Sequence, residues 1–220
     1  MLPAVVSASP TGTSESVKFF STKKIGEGTG LGHLAGQLEE RFETHASDVN
    51  FWALCQSKKV GRNTQQVLAS AETLPYQAGT FEVVILKHVV EHLEHPGRAL
   101  QEVGRICAPF GLLILSTPNL ASLLKPRKGD NWIGYRDPTH ISLKEPGEWI
   151  RLVREVGFKP FKIFSDGFWD VPYVRFVPAA VQKILFGALG GVQAVSGIPF
   201  LPLQWGESML LLARKEPPGS

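Results

Sequence analysis

The sequence predicts an α/β fold with a largely parallel sheet at its centre, and three observations carry that prediction. Phe81 to Leu86 (FEVVIL) and Leu112 to Leu115 (LLIL) are short, unbroken apolar runs, the pattern of strands covered on both faces. Between them Ala99, Leu100, Val103, Ile106 and Cys107 recur at helical spacing, so one side of the segment is apolar and suited to packing on a sheet. Upstream, Gly26-Glu27-Gly28-Thr29-Gly30 leads into a second helical pattern at Leu31, Leu34, Leu38 and Phe42. A strand, helix and strand in this order cross over right-handedly, and the loops after the two strands open on one edge. In open α/β sheets that edge is where ligands bind.

Taken in order, residues 1–16 read as a flexible lead rich in Ser, Thr, Gly and Pro, without the basic start and long apolar core of a secretory signal. Hydrophobicity for a first strand comes from Val17, Phe19 and Phe20, with Lys18 among them. The residues directly before the glycines, Ser21-Thr22-Lys23-Lys24-Ile25, fit a central buried strand poorly. Glycine suits the next turn because it accepts unusual backbone angles and lets a ligand approach the main chain. Asp48 lies 18 residues beyond Gly30, where it is either a ligand-binding carboxylate or an N-cap or loop Asp.

His95-Pro96 marks a helix start, with Pro tolerated in the first turn, and Ala108-Pro109-Phe110-Gly111 stops that helix. Residues 120–145 are loop-like. Pro146 begins a helix with an apolar face of Trp149, Ile150, Leu152, Val153 and Val156, ended by Gly157. Phe158 to Phe164 and Ser208 to Ala213 read as the last two strands. From Phe176 to Gly206 the only charge is Lys183, and about 20 uncharged residues reach the length of a membrane span. Gly187, Gly190, Gly191, Gly197, Pro199 and Pro202 interrupt that run, and spanning would separate two strands of one sheet. The preferred reading is an apolar lid over 165–206; a subunit interface and a patch dipping into a membrane surface are the alternatives.

At 220 residues and 43% hydrophobic, the chain is long enough for one sizeable core, expected over 17–215 with a tail at 216–220. A net charge of +3 from 23 basic and 20 acidic residues argues against a polyanion-binding protein, so no nucleic acid is expected. The cluster Lys125, Arg127 and Lys128 reads as a solvated loop. Cys55 and Cys107 read as buried small hydrophobes in helices, which points to a reducing, cytoplasmic setting.

Five blocks in register over about 50 residues then carry a resemblance: Ala71-Glu72-Thr73-Leu74-Pro75-Tyr76, Phe81-Glu82-Val83-Val84, His88-Val89-Val90-Glu91-His92-Leu93, Arg105 to Gly111, and Pro118-Asn119. They resemble the class I S-adenosylmethionine-dependent methyltransferases of the type 11 and type 23 groups. The resemblance implies a Rossmann-like, doubly wound seven-stranded sheet in three α/β/α layers, with strand 7 antiparallel. It also implies S-adenosylmethionine as cofactor, bound by Gly26, Gly28, Gly30, Asp48 on the ribose, Ser70, Ala71, Glu72, and Lys87 and His88 through their backbones. The family's acid at the end of strand one is missing here, and Ser70 stands where an Asp often bonds the adenine. Family members usually carry extra helical residues before strand one, for which this chain has little room.

The run Asn131 to Ile141 (NWIGYRDPTHI) is similar to a family element that lies over the methyl acceptor. Asn119, Trp132, Tyr135 and His140 are therefore expected on the substrate side, with Phe168, Trp169 and Tyr173 as further aromatic walls. His140 is the candidate general base, because an imidazole pKa near about 6.5 allows it to take a proton at neutral pH; its alternative is a loop-fixing hydrogen bond. Glu91 and His92 read as pinning a turn, and no metal is expected, since no further His/Cys/Asp/Glu cluster at ligand spacing supports a metal site. The function implied is methyl transfer to a small-molecule or lipid-linked acceptor, with peripheral membrane contact through 176–206 or a homodimer as partner expectations. Two rivals stay open: a non-catalytic binding or scaffold protein that kept the fold, and a nicotinamide-dependent oxidoreductase.

Overall fold

A computed structural model describes residues 16–20, 38–40, 42–196 and 198–217. Its strands are β1 (Ser16–Phe20), β2 (Glu43–Asp48), β3 (Gln65–Leu68), β4 (Phe81–Lys87), β5 (Cys107–Pro118), β6 (Phe158–Ser165) and β7 (Ser208–Lys215). The longer helices are α1 (Phe51–Val60), α2 (Pro96–Ile106), α3 (Pro146–Glu155) and α4 (Ala179–Ser196). The strands lie in the order β3-β2-β1-β4-β5-β7-β6. Pairing is parallel from β3 through β5, and β7 runs antiparallel to both β5 and β6. Chain order reverses between β1 and β4, so the fold is α/β and Rossmann-like, with its switch point at the centre of the sheet.

The unbroken apolar run of β4 is explained by burial on both sides. Phe81, Val84 and Leu86 join Ala99, Leu100, Val103 and Ile106 of α2 and Trp149 and Val153 of α3 in the main core. Val83 and Ile85 point the other way, against Leu38, Phe42, Leu112 and Ile114. The expected apolar side of α2 is wholly buried, and Pro96 occupies its first turn.

Three expectations are corrected; the first strand is Ser16–Phe20, while Lys23 and Lys24 lie outside the described residues. Cys107 opens β5 rather than closing a helix, because the pairing jumps from Phe81 opposite Cys107 to Val83 opposite Leu112 and loops out the residues between. Cys55 is exposed on α1, whereas Cys107 is buried as expected. Lys128 is not a solvated loop residue: its ammonium lies 3.3 Å from the buried Asp170 carboxylate.

Helix α4 fills the apolar insertion with its polarity reversed. Its buried anchors are two glutamines. Gln182 accepts from the N–H of Tyr173 (2.6 Å) and Val174 (2.9 Å) and donates to Val174 O and Val177 O. Gln193 donates to Ser165 O (2.7 Å) and accepts from the N–H of Phe200 and Leu201. Ile184, Leu185, Val192 and Val195 face outward, 59–85% exposed. No helix among the described residues is long and apolar enough to cross a membrane.

Candidate functional site

The candidate site forms where β1, β2 and β4 end. Phe20 pairs with Ser47 on one side and Leu86 on the other, so Asp48 and Lys87 stand one residue past it, flanking β1 two strand spacings apart, about 10 Å. Asp48 is 2% exposed, and its Oδ1 accepts the Asn50 N–H at 2.8 Å. The helix cap is Asn50 itself, whose side chain accepts from Ala53 N–H, so Asp48 is not the N-cap. Gly26, Gly28 and Gly30 lie outside the described residues.

Past β3, Ser70 accepts the Glu72 N–H on its Oγ (3.1 Å) and Ala71 is buried. This turn is gripped from below by α2. Glu102 accepts the Leu74 N–H at 2.9 Å, while Arg105 donates to Tyr76 O (2.5 Å), to Leu74 O (2.9 Å) and to Glu102. The hydrogen-bonded guanidinium holds the Glu102 carboxyl below its ordinary pKa. Two of the five sequence blocks are thus opposite halves of one contact.

At the end of β4, His88 takes a left-handed backbone (φ 52°), rare for a residue with a side chain. Its N–H donates to Ser116 O at 2.8 Å, and its Nδ1 lies 2.9 Å from Oε1 of Glu91. Glu91 is fully buried, and its Oε2 has no hydrogen-bond donor among the described residues. The loop after β5 closes over this turn: the Ser142 N–H donates to Glu91 O, and its hydroxyl to Leu93 O (2.6 Å).

His92 and His140 meet across that seam, ring centroids 4.8 Å apart. Nδ1 of His92 contacts Thr139 O at 3.1 Å and Thr139 Oγ1 at 2.9 Å; Nδ1 of His140 contacts Gly134 O at 2.6 Å. A carbonyl only accepts, so each Nδ1 carries a proton, and the tautomer this selects has its lone pair on Nε2. Burial pushes the His92 pKa down, favouring the neutral ring. Asp137 accepts the Thr139 N–H and hydroxyl, and its Oδ2 lies 3.9 Å from Nε2 of His140.

Other residues expected on the substrate side hold this loop in place. Trp132 is fully buried and donates its indole N–H to Glu207 (2.5 Å), a carboxyl whose pKa burial raises. Asn119, also buried, donates to Leu203 O and Gly206 O and accepts from the Ala121 N–H. Tyr135 is the exposed ring, 47% accessible and edge-on to Trp132 at 5.0 Å. Phe168 and Tyr173 are buried with Leu201 against the partly buried Phe186 of α4, while Trp169 is half exposed. Sequence reasoning missed the convergence of Glu91, His92 and His140, whose ligand atoms lie within 4.8 Å of one another. About fifty residues separate the two halves of the cluster, and only the folded loop joins them.

Residues 26–162, more than half of the chain, match the family model described as methyltransferase domain. Among characterised and uncharacterised relatives, the chain is 32% identical over 100 residues to the uncharacterised protein YafE of Escherichia coli K12, covering 44% of this chain and 47% of that one. It is 44% identical over 52 residues to a ubiquinone biosynthesis O-methyltransferase of Caulobacter sp. K31, covering 23% and 21%. The chain spans about half the length of the first curated relatives it matches. Among solved structures, a SAM-dependent methyltransferase from Archaeoglobus fulgidus shares the fold, with a TM-score of 0.59 at 20% identity, covering 92% of this chain and 87% of that one.

Proposed function

This chain belongs to the class I S-adenosylmethionine-dependent methyltransferase family, and on that premise we propose that it moves a methyl group from S-adenosylmethionine to a small-molecule or lipid-linked acceptor. The observation that carries the reading is the convergence of Asp48, the Ser70–Glu72 turn and the Lys87-His88 backbone on one edge at the switch point. These groups fit the cofactor: a buried carboxylate for the ribose hydroxyls, polar main chain beside the base, and strained main chain at His88 beside the amino-acid part. The doubly wound seven-stranded plan is part of the same reading and is supported by the strand order.

When bound, the cofactor supplies a methyl group on a positively charged sulfur. An acceptor oxygen, nitrogen or carbon attacks that carbon in line; the new bond forms as the carbon–sulfur bond breaks, and the electron pair stays on sulfur. The protein supplies alignment, which by itself is worth many orders of magnitude in rate. His140 is assigned the proton-accepting role in the absence of any other ligand, because Gly134 O fixes its Nδ1–H and leaves Nε2 as the basic atom. Tyr135 and Trp169 offer partly exposed rings to an organic acceptor.

The outward apolar face of α4, continued by the 92% exposed Phe176, supports contact with a lipid surface and hence a lipid-linked acceptor. A homodimer through the same face is the competing partner. The test is transfer of labelled methyl from S-adenosylmethionine to fractionated cell extract, lipid and aqueous phases counted separately. Label in the lipid phase, reduced at least tenfold by His140→Ala, supports the reading; label in neither phase contradicts it.

A further inference from the structure

We propose that Glu91, His92 and His140 form a binding site for one divalent transition-metal ion of the zinc class. Two imidazoles and one carboxylate are a recurring ligand set for such ions, with the remaining positions left open to water or substrate. Here the set is oriented before any ion arrives. Both Nδ1–H groups donate to protein oxygen, His92 to Thr139 and His140 to Gly134, so both Nε2 lone pairs are available. The same device fixes metal-binding histidines generally.

Glu91 supplies the independent observation. It is fully buried; Oε1 is held by His88 at 2.9 Å, and Oε2 has no donor among the described residues. A buried carboxylate oxygen without a donor is costly unless positive charge meets it. One ligand atom of each residue, a ring nitrogen or a carboxylate oxygen, lies within 4.8 Å of the other two, whereas ligands about 2.0–2.2 Å from a tetrahedral ion stand roughly 3.3–3.6 Å apart. Closing the widest gap by about 1.2–1.5 Å needs only small side-chain rotations. Asp137, whose Oδ2 is 3.9 Å from Nε2 of His140, adds negative charge to the rim. Imidazole nitrogens favour zinc, cobalt or nickel over magnesium, which prefers an all-oxygen shell.

The site revises the expectation that no metal takes part, and it deepens the proposed function, on which its catalytic meaning rests. An acceptor hydroxyl on an open position of the ion would lose its proton to water more readily, because a bound divalent cation lowers the pKa of a coordinated oxygen. In that state His140 is a ligand, and its role as direct proton acceptor belongs to the metal-free protein.

The experiment titrates the metal-stripped full chain with zinc by calorimetry and with cobalt by visible absorption. Expected are one equivalent bound, a visible band from a low-symmetry nitrogen and oxygen shell, and at least a tenfold loss of affinity in His92→Ala, His140→Ala and Glu91→Gln. His95→Ala, an exposed histidine outside the cluster, retains full affinity. S-adenosylhomocysteine binding measured on the same samples reports folding and tests the cofactor reading separately. No stoichiometric zinc or cobalt binding by folded wild type overturns the site, as does equal loss in His95→Ala and His140→Ala.

Discussion

The grip of Arg105 and Glu102 on the Leu74–Tyr76 turn shows how a motif residue serves the site without touching a ligand. The side chains are 37% and 21% exposed, so solvent screens the pair, and its value lies in the backbone groups it holds. Arg105→Ala is expected to cost about 1–2 kcal/mol of unfolding free energy and to weaken cofactor binding through the displaced turn. The Glu102 carboxyl is lowered from 4.5 in the folded chain. Its contribution is therefore complete above the unfolded value and is lost as pH falls through the folded one. Denaturant midpoints at about pH 6 and about pH 3.5 should converge more in Glu102→Gln than in wild type. Arg105 and Leu74–Tyr76 were legible in sequence as parts of two blocks but not as a contact, and Glu102 belongs to neither block, because a spacing pattern records no partner. Glu91 was legible only as a turn residue for the same reason: its proposed partner His140 arrives on another loop.

At the scale of elements, the β4, α2 and β5 pattern was readable because each strand is covered on both faces and the helix on one, so burial alone dictates the sequence. The position of β1 was harder to read. Its five residues carry a lysine, and the polar run before the glycines disguises where the strand ends. The entry to β5 hides a different feature: Phe110, 62% exposed, sits at φ 63°, a backbone region that favours glycine. A left-handed backbone costs a residue with a side chain about 1–2 kcal/mol, and glycine returns part of that through its looser unfolded state. Phe110→Gly should therefore raise the melting temperature by about 2–4 °C, measurable by calorimetry. Helix α4 was visible as apolar but not as inverted, since the buried glutamines are only two among many neutral residues. Gln193→Ala removes bonds to both flanking segments; a loss of about 2–4 kcal/mol locally should appear as faster amide exchange over residues 198–202.

For the whole molecule, the sheet order puts the proposed cofactor edge and the His92–His140 seam on neighbouring loops, and α4 is tied through Gln193 to Ser165 at the end of β6. Fold and cofactor reading followed from blocks whose geometry is local to one crossover; the acceptor did not, because fold says little about the group modified. If the outward face of α4 meets lipid, Ile184→Asp with Leu185→Asp should abolish sedimentation with vesicles and leave the melting temperature within a few degrees of wild type, since both side chains are more than 60% exposed. The central claim is that the edge flanking β1 holds S-adenosylmethionine, and calorimetric titration with S-adenosylhomocysteine tests it most directly. The account predicts saturable one-to-one binding by wild type, lost on Asp48→Ala while the variant stays folded. A folded wild-type protein that takes up no S-adenosylhomocysteine at millimolar concentration would contradict it.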